Sequence, residues 1–403
     1  MYCQINLNRL FSGNLPVDLN ELPEDAYLVG GAVRDALLHR QKDYIDLDFV
    51  VPERAIETAR AIAGRYRAGF VVLDEAREIA RVVFEGGTLD FARMEGKTLE
   101  IDLKRRDFTV NAIAYDPRKR ELIDPLGGSR DLRAKCLRMV SRENLKDDPL
   151  RLLRAYRQAA QLDFEIEEDT LVAIRSLAGL LGNVAAERVR SELDYLLLNT
   201  GGDKWLQEAW RDGLTRSWLN RITGEKMGKI PRVTEEANRL ESEFVFSPTT
   251  VQMAKLALLV SSVPEEAEKE LADLKYSRSE IRTVLAVIKN FPRLEGELKA
   301  RDRYFLFLEV GKVFPVFALF ALAMGIDRTL VLSLFQAYLD PDDPIAHPKP
   351  LLTGNDLIDR LKLKPSPLIG KLLTEIQVAA IEGKIGTFEE AIEFARTLAL
   401  SIL

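Results

Sequence analysis

Cysteine and histidine are scarce in this chain: Cys3, Cys136, His39 and His347 are all it has among 403 residues. Two cysteines build neither a disulfide framework nor a zinc site, which makes a reducing cytoplasm the expected compartment. No apolar run is expected to be long enough to span a bilayer. The opening Met1-Tyr2-Cys3-Gln4 lacks a signal peptide's basic start and apolar core, so no membrane partner is expected. Internal repeats and low-complexity segments are absent as well. Lys and Arg number 57 against 63 Asp and Glu, a net charge of −6, which argues against a uniformly basic nucleic-acid binder. What is present is 47% hydrophobic residues over a length that suits two to three domains or one elongated multi-part body.

The chemistry concentrates early. In Tyr27-Leu28-Val29-Gly30-Gly31-Ala32-Val33-Arg34-Asp35, Leu28 and Val29 read as the end of a buried strand. Gly30 and Gly31 let backbone N–H groups approach an anion where a Cβ would obstruct them. Asp35 to Leu38 reads as the first turns of a helix, whose N-terminal partial charge also favours phosphate. Arg34 adds a bidentate donor. Ile45 to Val51 follows as a strand pattern, and because residues i and i+2 share a strand face, Asp46 and Asp48 project together. Two such carboxylates repel unless cations sit between them. Oxygen ligands of this kind suit Mg²⁺, which bridges one or two carboxylates to substrate phosphates. Asp90, in the strand-like run Thr88 to Ala92 after Val82-Val83-Phe84, offers a third acid. Two metals roughly 4 Å apart could then clamp the attacking and leaving oxygens of an in-line displacement. Taken singly, a Gly-Gly turn and an acidic loop are ordinary surface features; their order on strand, helix and strand points to nucleotidyl transfer.

Further along, Arg105 to Asn111 precedes the strand-like Ala112-Ile113-Ala114-Tyr115, so its side chains can face a cleft. Asp107 and Asn111 can accept from ribose hydroxyls, and Arg106 can reach phosphates; the same residues also suit a surface salt-bridge cluster. Pro149 fits the first turn of a helix with Asp148 at its N-cap and Leu150, Leu153 and Ala155 on its apolar face. Arg151, Arg154 and Arg157 fall on one stripe, at a spacing equally ordinary for a solvated helix face.

Gly-Gly-x-Val-Arg-Asp followed by Asp-x-Asp resembles the class II nucleotidyltransferases, the tRNA CCA-adding enzymes and bacterial poly(A) polymerases. The resemblance continues in order. Arg105 to Ala112 is similar to the family's ribose-reading motif, Asp124 to Gly128 to its flexible turn, Asp147-Asp148-Pro149-Leu150-Arg151 with Arg154 and Arg157 to its base-reading motif, and Glu187 to Leu193 to the helix that supports it. It covers roughly the first half of the chain. The resemblance implies that Asp46 and Asp48 hold Mg²⁺ and that Asp90 completes the catalytic acids. It implies that Gly30, Gly31, Arg34 and Arg106 bind triphosphate and that Asp107 and Asn111 meet the ribose. Asp148 and Arg151 would read the base edge in place of a nucleic-acid template, suiting cytosine or adenine. One departure is visible: Asp147 stands where the family usually has Glu. With only two histidines, the His-rich phosphohydrolase appendage of some relatives is excluded.

The implied fold is α+β: a nucleotidyltransferase head with a small mixed β-sheet (1–140), then an all-helical neck with the base-reading motif (141–235), body (236–340) and tail (341–403). Glu168 to Leu181, Ala185 to Leu198 and Trp205 to Ala209 are amphipathic. Thr223 to Pro231 reads as a loop, with helices resuming from Val233, and Asp340 to Pro350 as a second break. Thr387-Phe388-Glu389-Glu390 is a capping box opening the last helix. The tail is similar to a unit that helps hold tRNA in some relatives. Lys104 to Arg106, Arg130, Arg133, Lys135, Arg138, Arg142 and Arg151 to Arg157 could track an acceptor stem through its phosphates, or face solvent.

The implied reaction is attack by a tRNA 3′-hydroxyl on the α-phosphate of CTP or ATP, releasing pyrophosphate. Only Phe91 to Lys104 separates Asp90 from the Arg105 motif, shorter than in typical full CCA-adding relatives. In the family that shortening goes with enzymes that add CC and leave the terminal A to a partner, so CC addition is the expectation. A poly(A) polymerase, an A-adding tRNA nucleotidyltransferase and a noncatalytic RNA-binding protein of the same fold are the alternatives.

Overall fold

The structure, a computed structural model, describes residues 17–40, 44–199, 201–241 and 244–402. Cys3 and the opening residues lie outside them. The chain forms two compact units, Met1–Ser217 and Trp218–Leu403.

The first unit is built on a seven-stranded sheet. Its strands are β1 (Tyr27–Val29), β2 (Ile45–Val51), β3 (Gly69–Asp74), β4 (Ile79–Phe84), β5 (Gly87–Arg93), β6 (Ala114–Asp116) and β7 (Glu121–Ile123). They lie in the order β3-β4-β5-β2-β1-β6-β7. Only β2 and β5 pair in parallel, so the sheet is mixed. Alternation decides its faces. Leu47, Phe49, Val82, Leu89 and Phe91 are buried on one side, with Phe49 stacked on Phe91 at 5.3 Å. Helix α1 (Gly31–Leu37) links β1 to β2. Helix α2 (Ala55–Tyr66) covers the apolar side with Ala55, Ala59, Ile62 and Ala63. The other side carries Asp46, Asp48 and Asp90.

Helices follow. After α3 (Leu99–Lys104) and α4 (Gly128–Arg133) come α5 (Arg142–Asp147), α6 (Leu150–Leu162), α7 (Glu168–Leu177), α8 (Ala186–Leu198) and α9 (Gly202–Arg211). The apolar stripe of α6 buries Leu152, Leu153, Ala155, Tyr156 and Ala159. The sequence reading put Asp148 at its N-cap, and the structure corrects this: α5, capped by Ser141, runs up to Asp147, so Asp148 closes α5 and Pro149 caps α6.

The second unit is helical. The expected loop at 223–231 is instead the start of α10 (Gly224–Arg239). The Thr223 hydroxyl accepts from Lys226 N–H, and burial of Lys226, Met227 and Ile230 holds the turns despite Pro231 inside them. After α11 (Pro248–Leu259), α12 (Pro264–Asp273) and α13 (Arg278–Asn290) come α14 (Ala300–Val310) and α15 (Phe314–Met324). The stretch Ala300–Met324 has a mean hydropathy of 2.0 over 18 residues, long and apolar enough to cross a membrane. That corrects the expectation that no run reaches such length. Most of it is interior to the unit: α15 is buried from Phe314 through Ala323 except for Pro315, and a turn at Gly311, φ 51°, separates it from α14. After α16 (Arg328–Leu339), helices α17 (Gly354–Leu361), α18 (Pro367–Ile381) and α19 (Phe388–Ile402) gather Leu357, Leu372, Ile376, Ala391 and Ala395 into a cluster of their own. The capping box at Thr387 forms: Glu390 N–H donates to the Thr387 hydroxyl at 3.2 Å and Thr387 N–H to the Glu390 carboxylate at 3.0 Å.

Candidate active site

Strand β1 stops at Val29, whose antiparallel partner in β2 is Asp48. Gly30 then turns with φ 74° and ψ −138°, a backbone state that side chains disfavour. Helix α1 begins one residue later, so its first unsatisfied N–H groups open beside the acids. A Cβ on Gly30 would sit 3.2 Å from Arg106 Nη1 and 3.5 Å from Asp48 Oδ2. The glycine turn, one acid and one arginine of the sequence reading therefore occupy one spot.

The acids share a face through sheet register. Asp46 lies beside Thr88 and Asp48 beside Asp90 in the parallel β2–β5 pair. Thr88 donates its hydroxyl to Asp46 Oδ1 at 2.7 Å. Asp90 is gripped at both oxygens by Arg81, its cross-strand neighbour in β4, at 2.7 Å each. Burial, then the charges of Asp46 and Asp90, push the Asp48 carboxyl up to about 6. Such a crowded acceptor-only pair fits a hard divalent cation, which would relieve the repulsion. Among the described residues no three Asp, Glu, His or Cys side chains gather into a complete metal cage.

Arg106 reaches this spot from the end of α3. Its Nη2 donates to Asp102 Oδ2 at 3.1 Å, while its buried Nε has no hydrogen-bond partner. Asp102 in turn accepts from Glu95 N–H at 3.0 Å, which pins the five-residue connection between β5 and α3. Within that connection Gly96, φ 98°, passes so close to Ile101 that a Cβ would lie 2.4 Å from its Cγ2.

Arg34, Asp107 and Asn111 meet one another in the interior. Arg34 donates through Nε to Asp35 at 2.9 Å and through Nη1 to Asn111 Oδ1 at 2.7 Å. Asn111 donates to Asp107 Oδ1 at 2.9 Å and to Gln158 at 2.8 Å. Arg154 forks onto Asp107 Oδ2 at 3.1 and 2.8 Å. Burial alone would raise the Asp107 carboxyl; the Arg154 charge and the hydrogen bonds from Asn111, Arg154 and Phe108 N–H outweigh it and hold it well below the usual carboxylate range. In this state the donors of Arg34 are turned to Asp35 and Asn111.

The remaining candidates line the start of the helical part. Asp148 accepts from Arg188 of α8 at 2.9 Å. Arg151 donates to the carbonyls of Arg105 and Asn144 at 2.8 and 3.1 Å. Arg157 pairs with Glu192 and donates to Gln161 at 2.8 Å. Asn144 donates to the carbonyls of Lys104 and Arg106, stitching α5 to the Arg106 segment. Several cations of the expected basic track are paired: Arg105 with Glu95, Lys135 with Asp163, Arg138 with Asp131 and Glu167.

Arg81, Thr88, Asp102, Asn144 and Gln158 escaped the sequence reading. For Arg81 a signal existed. Glu85-Gly86 is a two-residue turn, and counting back across it from Phe84 and Gly87 sets residue 81 opposite residue 90.

Comparison with known proteins agrees with this organisation. A family model for the poly A polymerase head domain matches residues 26–138. A model for an RNA and SrmB-binding site of polymerase A matches 163–223, and one for tRNA nucleotidyltransferase domain 2 matches 244–395. The chain is 49% identical over 416 residues to the CC-adding tRNA nucleotidyltransferase of Synechocystis sp., covering 100% of both chains. It is 31% identical over 405 residues to a CCA-adding enzyme of Streptococcus pneumoniae, covering 95% of this chain and 96% of the relative. The Thermotoga maritima CCA-adding enzyme complexed with tRNA aligns with a TM-score of 0.70 and 26% identity over 93% of this chain and 91% of that one.

Proposed function

Because the chain belongs to the family of CC-adding and CCA-adding tRNA nucleotidyltransferases, we propose that it extends the 3′ end of tRNA from CTP without a nucleic-acid template and stops after CC. The observation that carries the chemistry is the contact set around Gly30, within reach of both Asp48 Oδ2 and Arg106 Nη1. The triphosphate lies over the Gly30–Gly31 turn, where the N–H groups of α1 and Arg106, with its unpartnered Nε, meet its charge. Asp46 and Asp48 are the ligands for Mg²⁺, which when bound polarises the α-phosphate and steadies the leaving pyrophosphate. Asp90, oriented by Arg81, stands beside Asp48 to accept the proton of the 3′-hydroxyl.

Asp148 and Arg151 read the cytosine edge, while Arg154, Asp107 and Asn111 set the ribose side and Arg157 braces α6 on Glu192. Arg34 acts behind the site, holding Asn111. Head, neck, body and tail are assigned to 1–140, 141–235, 236–340 and 341–403, with tRNA holding in the last part and a cytoplasmic location for the whole.

Stopping at CC rests on two supports. The full-length Synechocystis relative is a CC-adding enzyme, and the β5–α3 connection is short and tied at both Asp102 and Gly96. A pocket wall pinned in this way has little slack to reshape for adenine. The test is incubation with tRNA lacking its 3′ end and each nucleotide separately. Two cytidines from CTP and no adenosine from ATP are expected. Efficient A addition to tRNA ending in CC would reject the CC limit, and long ATP-dependent tails on unstructured RNA would make the protein a poly(A) polymerase.

A further inference from the structure

The open face of the sheet does not end at the acids. Its register continues outward in two rows. One runs Asp48, Asp90, Arg81, Val71; the other Asp46, Thr88, Val83, Gly69. The Arg81–Asp90 and Thr88–Asp46 bonds fix these side chains on one side of the sheet. Beyond the carboxylates that side presents a guanidinium and then two valines, Val71 at 48% and Val83 at 38% exposure. Gly69 leaves a notch beside them, where a Cβ would lie 3.3 Å from Val83 Cβ. Arg81 spends Nε and Nη2 on Asp90, and no bond is formed by its Nη1 among the described residues.

Resting on the nucleotidyl-transfer reading above, we propose that Arg81, Val71 and Val83 form the seat of the acceptor strand's last nucleotide. Arg81 Nη1 takes its phosphodiester and the valines carry the flat face of its base. The occupant follows from continuity and charge. The hydroxyl that attacks must arrive over Asp48 and Asp90, and neighbouring strands are about 4.8 Å apart, so β4 lies about one nucleotide's reach outside β5. A polyanion arriving there meets one oriented cation with spare N–H groups, and its base meets apolar surface free of sequence-reading donors. That suits an enzyme whose primer end changes after each addition, because stacking on an apolar face tolerates any base. Asp90 gains a second task as the anchor that holds the guanidinium flat against the sheet.

The test separates primer from nucleotide. Binding of tRNA lacking its 3′ CCA is measured without nucleotide or divalent metal, for wild type, Arg81→Gln, Val71→Glu and Val83→Glu, alongside steady-state KM for tRNA and for CTP. Each variant is expected to weaken tRNA binding about tenfold, and in Val83→Glu, which leaves Arg81 and Asp90 unaltered, the CTP KM stays within twofold. Val83 stands opposite Thr88 and Gly69 rather than opposite Arg81, so Val83→Glu tests the surface even if Arg81→Gln or Val71→Glu disturbs the Arg81–Asp90 pair. Unchanged tRNA affinity in Val71→Glu and Val83→Glu overturns the proposal. So does a dimer that the glutamates dissociate, which would make the valine edge a contact between copies. Failure of wild type itself to incorporate nucleotide would instead sink the function on which the seat rests.

Discussion

Asp48 sets burial against charge: half-buried, beside Asp46 and Asp90, its carboxyl is pushed up to about 6 first by burial and then by those neighbours. A side chain kept in such a place costs stability and is expected to matter for chemistry. Asp48→Ala is therefore predicted to fold with an unchanged or slightly higher melting temperature and to lose at least roughly 10³-fold in nucleotide incorporation; near-normal turnover would remove it from the metal site. Asp107 works the opposite way. Its side chain keeps 7% of its surface exposed and Arg154 keeps 33%. Asp107→Asn is predicted to cost about 2–3 kcal/mol, less than the 3–5 of a fully buried pair because water still reaches the guanidinium. The pH dependence has a definite sign. The folded carboxyl titrates below its unfolded value of about 3.9, so its stabilisation is complete above that pH and is lost as pH falls towards the folded value. Urea midpoints of wild type and Asp107→Asn should differ at pH 7 and converge below about pH 4; a gap that stays constant into acid would mean that shape, not charge, holds the network.

Among the elements, those defined by local chemistry were legible in the chain and those decided by burial were not. Alternation in Ile45 to Val51 placed β2 and put Asp46 and Asp48 on one face. Two glycines marked the turn into α1, and Thr387 with Glu390 marked a cap. The internal pairing of Arg34, Asn111, Asp107, Gln158 and Arg154 was hidden, because it joins segments up to 77 residues apart whose spacing carries no periodic signal. Residues 223–231 were misread for a different reason. Gly224, Gly228 and Pro231 are all poor helix formers, yet Thr223 caps the helix and its buried side chains override them. That conflict remains in the folded protein. Pro231 lacks the N–H that would reach the Met227 carbonyl, so Pro231→Ala should stabilise α10 by roughly 1–3 kcal/mol and raise the melting temperature. A fall in melting temperature would assign to the proline a bend that its neighbours in the second unit require.

Across the whole molecule, a net charge of −6 has to be reconciled with a polyanionic substrate. The reconciliation is local, and it limits how strongly salt can act. Arg105, Lys135, Arg138, Arg154 and Arg157 are each already paired with a carboxylate of the protein, so much of the basic track has no full charge to spare for phosphate. Counterion release counts phosphates newly neutralised, not arginines present. With about four phosphates neutralised, the slope of log affinity against log salt should be near −3.5, and tRNA affinity should fall roughly 10²-fold between 50 and 200 mM salt. Filter binding over that range measures it. A slope near −8 would require the intramolecular pairs to open and turn to the RNA. Each opened pair leaves a carboxylate that repels the backbone its arginine has just bound, so the shallow slope is the outcome that this distribution of charge favours.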